Sequence, residues 1–171
     1  VLDAFPYDYA CQIVSHGSNG ACLVNERTEL RSIDHSQVIE NLIYTLDIDN
    51  YLINRWDFES ESYLNAINLY LADSNGAVID FSVETSGSIV VVYESGNIYR
   101  YSADGLGKPE FLVRTPYLPV KIFSNNDYLL LILDDKNNHQ RLLSYSENGE
   151  FLNEYNQSIS GHDFQFSRAL N

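Results

Sequence analysis

Short apolar runs separated by turn-forming residues recur along the chain, and helical spacing is rare. Residues 78–82 alternate apolar and polar side chains, residues 89–93 form a continuous apolar run, and residues 97–102 alternate again. Glycine, asparagine, serine and acidic residues fill the gaps. Alternation is typical of strands with one buried face, and a short apolar run bounded by turns is typical of a strand buried on both faces. The pattern predicts an all-β chain.

The strand pattern repeats along the chain in three series, the first two with a period of 42 to 45 residues. One series consists of aromatic–polar pairs, the second of Phe-Ser pairs, and the third of apolar runs. In chain order their members are Trp56-Asp57, Tyr101-Ser102 and Tyr145-Ser146; Phe81-Ser82, Phe123-Ser124 and Phe166-Ser167; and residues 42–46, 89–93 and 129–133. Four short strands per repeat of this length are typical of a β-propeller blade, because a small sheet with two apolar faces must stack against its neighbours.

The repeats predict a β-propeller of four-stranded antiparallel blades, with about four blades in this chain, as a single domain or segment over residues 1–171. The predicted units are residues 5–38, 39–80, 81–122 and 123–165, with residues 162–168 as a further strand. The units either close into a four-bladed ring or belong to a larger propeller, and the absence of methionine favours the second. Residues 63–72 have helix-like spacing, but the strong turn that follows favours an outer strand.

The segment 38–58, VIENLIYTLDIDNYLINRWDF, ends in a Trp-Asp pair, and Gly161-His162 precedes Phe166-Ser167. With these motifs the stretch from about residue 37 to 168 resembles the WD40 repeat family, with Tyr-Ser at two places where the family has Trp-Asp. The resemblance implies propeller blades in which each Phe-Ser pair ends the first strand.

Acidic residues outnumber basic ones by 24 to 10, which gives a net charge of −14. This charge argues against a phosphate-binding surface for nucleic acid and disfavours anionic membranes, and no apolar run approaches the length of a membrane helix. Acidic residues recur in the turns after the apolar second strands, which would share one face of the propeller, with tyrosines nearby. The predicted partner-binding residues are Asp47, Asp49, Tyr51, Glu94, Tyr128, Asp134 and Asp135.

Residue types that carry catalysis or bind metals do not occur in suitable groupings. The four histidines are not spaced as metal ligands, and the sequence has no nucleophile elbow, dinucleotide motif or phosphate loop. Acidic turns such as 47–50 and 73–76 lack the full ligand spacing of a calcium loop. We therefore expect no enzyme activity, no metal and no cofactor.

The two cysteines, Cys11 and Cys22, flank a turn-like segment and are either free thiols or a disulfide. The sequence favours a non-catalytic interaction module in a multi-subunit intracellular assembly of the cytoplasm or nucleus. Its expected partner is a basic protein, together with the remaining blades if the propeller is larger. The alternative is a secreted or periplasmic propeller that binds a glycan or small ligand, for which a Cys11–Cys22 bridge would be evidence.

Overall fold

The computed structural model describes residues 35–71, 73–124, 127–134 and 140–155 of the 171-residue chain. The predicted first unit therefore lies almost wholly outside the described residues, as do both cysteines and the predicted strand 162–168. Within the described ranges the secondary structure consists of β-strands and one short 3-10 helix, Asp73–Asn75. The strands are β1 (Ser36–Ile39), β2 (Leu42–Asp47), β3 (Leu52–Asp57), β4 (Ser62–Asn68), β5 (Val78–Val83), β6 (Ile89–Tyr93), β7 (Asn97–Tyr101), β8 (Glu110–Arg114), β9 (Leu118–Ser124), β10 (Tyr128–Asp134), β11 (Gln140–Ser146) and β12 (Phe151–Tyr155).

The strands form three four-stranded antiparallel sheets, each a simple meander in chain order. Sheet A contains β1–β4, sheet B contains β5–β8, and sheet C contains β9–β12. The predicted all-β fold class of four-stranded antiparallel blades is confirmed. Residues 63–68 of the segment with helix-like spacing belong to strand β4, as the turn after the segment indicated.

The predicted second strands and the repeat spacing agree with the observed register. The run Ile89–Tyr93 is buried along its whole length, as expected for a strand covered on both faces. Trp56, Tyr101 and Tyr145 occupy equivalent places, because each pairs with an aliphatic residue near the start of its second strand. The aromatic–polar series in the sequence therefore marks the third strand of each blade.

Two apolar cores lie between consecutive sheets. The core between sheets A and B contains Phe81 and Tyr93, and the core between sheets B and C contains Ile98 and Leu129. Alternate residues of β6 enter different cores, since Val91 belongs to the first core and Val90 to the second. Sheet B is thus covered on both faces.

The first strands of sheets B and C lie beside one another and run in the same direction. The Ile122 amide donates to Asp80 Oδ2 at 3.0 Å, and the Ser124 amide donates to Ser82 Oγ at 2.9 Å. The separation is 42 residues in both hydrogen bonds. Because the two positions advance together, β5 and β9 are parallel.

The first strand of sheet A is joined to β5 in a similar way. Gln37 Nε2 donates to the Phe81 carbonyl at 2.8 Å, and the Val83 amide donates to Gln37 Oε1 at 2.9 Å. Two residues before Gln37, His35 Nδ1 lies 3.4 Å from Oδ1 of Asp80, the residue before Phe81. All three sheets therefore share one orientation, and turns of one kind lie at one edge of the array.

We call the two edges the link edge and the hairpin edge. The link edge carries the turns between second and third strands and the links between sheets, whose described residues are 48–51, 69–71, 73–77, 94–96 and 115–117. The hairpin edge carries the turns between first and second strands and between third and fourth strands. Its turns include residues 40–41, 58–61, 84–88, 102–109 and 147–150.

Candidate functional site

Three of the predicted partner-binding residues lie in sheet A at the link edge. Asp47 ends β2 and accepts hydrogen bonds from the Asn50 amide at 3.0 Å and from Asn50 Nδ2 at 2.9 Å. Asp49 is exposed in the same turn. Tyr51 is half-buried and packs edge-on against Tyr70, with 5.6 Å between ring centroids. Asp47 thus shapes the turn, while Asp49 and Tyr70 offer exposed groups.

The remaining predicted residues are not all brought to this edge. Glu94 is exposed in the β6–β7 turn of sheet B, and Asp134 ends β10 of sheet C at the link edge. Asp135 lies outside the described residues. Tyr128 is the first residue of β10 and pairs with Ser146, so it lies at the hairpin edge. At about 3.3 Å per residue, the length of β10 separates it from Asp134 by about 20 Å.

The hairpin edge carries more acidic side chains than the link edge. Besides Glu84 and Glu110, which pair with Arg100, its turns and strand ends place eight carboxylates from all three sheets along it, of which Asp57 is half-buried and the others are exposed. They are Glu40, Asp57, Glu59, Glu61, Asp104, Asp127, Glu147 and Glu150. Among the described turn residues at this edge, Lys108 is the lone lysine or arginine. The sequence signals were the acidic segments around residues 57–61 and 147–150.

Two of these carboxylates are held by their own turns. Asp57 accepts hydrogen bonds from Ser60 Oγ at 2.7 Å and from the Glu59 amide at 2.9 Å, which lower the pKa of Asp57. Asp104 accepts from Ser102 Oγ at 2.6 Å and the Leu106 amide at 2.9 Å, with the same effect on its pKa. Both side chains are therefore fixed anions at neutral pH.

An arginine in the third strand joins each sheet to the next. Arg55 Nη1 donates to the Ala103 carbonyl in the turn of sheet B at 2.5 Å, and its Nε and Nη2 donate to the Asn65 carbonyl. Arg100 Nη2 donates to the Glu147 carbonyl in the corresponding turn of sheet C at 2.8 Å. These inter-sheet bonds span 48 and 47 residues. The same device thus positions the outer hairpin turns of sheets B and C.

Glycines let these two turns approach the preceding sheet closely. Gly105 has φ +72°, and a Cβ there would lie 2.7 Å from Cγ1 of Ile67. Gly149 has φ +83°, and its Cβ would lie 2.5 Å from the Leu112 carbonyl oxygen. Positive φ and the short approach both require glycine. The outer hairpin turns of sheets B and C are consequently held against the strands of the preceding sheet.

Arg100 also takes part in a largely buried ion-pair network between sheets B and C. Its Nε lies 3.1 Å from Glu84 Oε2, and its Nη2 lies 3.2 Å from Glu84 Oε1. Ser124 Oγ donates to Glu84 Oε1 at 2.6 Å, and Glu110 lies 3.5 Å from the guanidinium at the surface. The network satisfies Glu84, which is 3% exposed, and holds its charge inside the array.

The core between sheets A and B contains a hydrogen-bonded tyrosine pair. The hydroxyl oxygens of Tyr93 and Tyr101 are 2.5 Å apart, and Tyr93 donates to the Leu69 carbonyl at 2.6 Å. Burial raises the pKa of Tyr101 to about 12 and that of Tyr93 further. Both phenols remain neutral at physiological pH, and they anchor the link between the two sheets.

The described part of the chain offers no clustered metal ligands. No three His, Cys, Asp or Glu side chains within it are grouped so that they could hold a metal ion. Over the same ranges, the chain has no helix that is long and apolar enough to cross a membrane.

No family model and no curated protein matches the sequence. Several solved structures resemble the fold. A chain of the nidogen/laminin complex is 16% identical with a TM-score of 0.54, over 68% of this chain and 43% of that chain. The computationally designed Ika4 protein is 12% identical with a TM-score of 0.53, over 71% of each chain. BamB from Moraxella catarrhalis is 11% identical with a TM-score of 0.50, over 74% of this chain and 35% of that chain.

The match thus spans less than half of the nidogen/laminin chain and of BamB. Both of these are β-propeller proteins. At identities below one fifth the similarity concerns the fold alone, and it agrees with the three stacked four-stranded sheets. The chain therefore has a fold of the β-propeller type.

Proposed function

We propose that this chain is a non-catalytic interaction module, a WD40-like propeller segment in a multi-subunit intracellular assembly. It presents the hairpin edge to a basic partner protein. The observation that carries the proposal is the set of eight carboxylates from three consecutive sheets at that edge, against Lys108 among its described turn residues. The residues predicted at the link edge form the competing surface.

The hairpin edge is suited to electrostatic recognition because its charges are fixed in place. The turns of sheets B and C are docked through Ala103 and Glu147 carbonyls, and Asp57 and Asp104 are oriented by local hydrogen bonds. Charges on a rigid scaffold attract a basic surface without a large ordering cost. Such steering raises the association rate and weakens as salt screens the charges over about 10 Å at 0.1 M.

The test compares charge reversal at the two edges in the full chain. One variant carries Glu61→Lys and Glu150→Lys at the hairpin edge, and its matched control carries Asp49→Lys and Glu94→Lys at the link edge. All four residues are exposed, and both variants change the net charge equally. The probe is a fluorescent Lys/Arg-rich peptide, titrated at low and at physiological ionic strength.

We expect the hairpin-edge variant to weaken peptide binding about tenfold or more at low salt, and the link-edge variant to weaken it about twofold. Equal losses would show that only the net charge matters and would contradict a defined surface. A larger loss in the link-edge variant would assign the partner to the residues first predicted from the sequence.

A further inference from the structure

A row of paired residues crosses each sheet at equivalent positions. In sheet B, Val83 pairs with Ile89, which pairs with Tyr101. In sheet C, Leu129 pairs with Tyr145. Each row enters the core toward the preceding sheet, since the sheet B row belongs to the core shared with sheet A and the sheet C row to the core shared with sheet B. The row therefore marks the face of a blade that packs on the blade before it.

Sheet A carries the same row on the face that points away from sheet B. Val38 pairs with Ile43, Ile43 with Trp56, and Trp56 with Tyr63. The neighbour of Ile43 along β2, Tyr44, enters the core with sheet B, so Ile43 lies on the opposite face. Ile43 is 6% exposed although neither described core contains it.

We infer that this row of sheet A is the docking surface of residues 5–33, which supply the preceding blade. The chain has 34 residues before the described part, and the three described sheets span 33, 37 and 38 residues from first to last strand. Consecutive sheets are neighbours in space throughout the described array. The segment also contains the apolar run 21–24 and the mostly apolar stretch 10–14, with which it could cover Val38 and Trp56.

At the repeat spacing of Arg55 and Arg100, the docking segment has no arginine in its sequence. The turn between the third and fourth strands of sheet A has Ser60 at the repeat position of Gly105 and Gly149 in sheets B and C. Phe58 of sheet A is at the repeat position of Ala103 and Glu147, whose carbonyls accept the inter-sheet hydrogen bonds 47 to 48 residues after an arginine. The residues 47 and 48 positions before Phe58 are Cys11 and Ala10. The seam at sheet A therefore depends on apolar contact, and it opens before the two described contacts do.

The chain contains its own reporters for this seam, because its two cysteines lie in the docking segment and its single tryptophan lies in the row. The experiment uses the full chain after reduction and removal of the reductant. It measures thiol labelling of Cys11 and Cys22 with a maleimide, together with Trp56 emission, in buffer and in urea. Val38→Lys places a charge in the docking surface, and Leu118→Lys is the control, since the two side chains are 62% and 65% exposed.

In the unmodified chain we expect thiol labelling at least about tenfold slower than in urea. Docking would desolvate the charge of Val38→Lys, so this variant should weaken the contact. Thiol labelling should then be about tenfold faster, and Trp56 emission should shift to the red. Leu118→Lys should leave both signals unchanged. Hydrogen exchange in the peptide covering residues 89–93 verifies that sheet B stays folded in each variant. Labelling of the unmodified chain at the unfolded rate, or equal labelling of both variants, would overturn the inference.

Discussion

The contact between sheets A and B differs from the contact between sheets B and C in its electrostatics. Each has an arginine at the same repeat position, but the surroundings of the two arginines are different. Arg55 is 7% exposed, and this burial lowers its pKa. Its hydrogen bonds all go to backbone carbonyls, so no anion is paired with it directly. Arg100 makes the same bond to the next turn but also pairs with the buried Glu84. The repeat thus preserves the geometry of the inter-sheet bond, while the charge balance differs from one contact to the next.

Replacing each arginine with methionine provides the most direct test of this difference. Arg100→Met leaves Glu84 buried without its cation, and we expect a loss of about 3–5 kcal/mol in the free energy of unfolding. Arg55→Met removes a buried cation and leaves no buried anion unpaired. We therefore expect the free energy of unfolding to fall by about 1 kcal/mol or less. Urea unfolding of both variants measures the two losses, and equal losses would show that the two arginines act mainly through their carbonyl bonds.

The turn glycines sharpen the comparison in a second way. Gly149→Ala forces a Cβ against the Leu112 carbonyl, whereas Gly105→Ala meets a side-chain methylene of Ile67 that can move. We expect losses of about 2–3 kcal/mol for Gly149→Ala and about 1–2 kcal/mol for Gly105→Ala, because both also strain a positive φ. Gly107→Ala is the control for strain alone, since its φ is +85° and nothing lies within 4 Å. A loss for Gly149→Ala no larger than the control would rule out the close approach.

Alkaline pH should act on the A–B contact through its tyrosine pair. Tyr101 has a pKa of about 12 in the fold because of burial, against an ordinary value of 10.0. The folded state therefore keeps protons that the unfolded chain loses, so this stability is fully present below pH 10 and is lost as pH rises toward 12. We expect the free energy of unfolding to fall by up to about 1.4 kcal/mol per pH unit for this group.

Urea unfolding between pH 9 and about pH 11 measures the slope. Tyr101→Phe should make the slope shallower while Tyr99→Phe, which removes a half-buried phenol nearby, should change it less. An unchanged slope in Tyr101→Phe would show that this tyrosine does not titrate with folding.

A smaller effect than at Arg100 or Gly149 is expected at the hydrogen bonds between the first strands of sheets B and C. Ser82→Ala removes the oxygen that accepts from the Ser124 amide, and Ser124 is fully buried. We expect a loss of about 1–2 kcal/mol, because a buried amide loses its partner. Ser86→Ala, in an exposed turn, is the control. Equal effects of the two substitutions in urea unfolding would contradict the role of this bond.

The positions of the strands could be predicted because each is a short run bounded by turn residues and repeats at a regular interval. The buried run Ile89–Tyr93 and the aromatic positions of the third strands were found in this way. The inter-sheet arginines could not be, since Arg55 and Arg100 acquire their roles only when the next turn is placed beside them. A single sequence shows which residues are charged, but not which carbonyl lies opposite.

The candidate surface was harder to predict than the fold. Asp49 and Glu94 lie at one edge as expected, because they follow equivalent strands. The sequence pattern groups Tyr128 with them, but it begins β10 and therefore lies at the other edge. The acidic turns at the hairpin edge are spread over both the first and the third turn of each meander, so their common location appears only once the parallel alignment of β1, β5 and β9 is known.

That parallel alignment also determines how the chain can be made. The hydrogen bonds between neighbouring first strands join residues 42 to 46 positions apart, so each sheet needs only the one synthesised just before it. A chain that leaves the ribosome from its amino terminus can complete the contact between sheets A and B while sheet C is still being translated. Folding can then advance by one repeat at a time, without waiting for distant segments to meet.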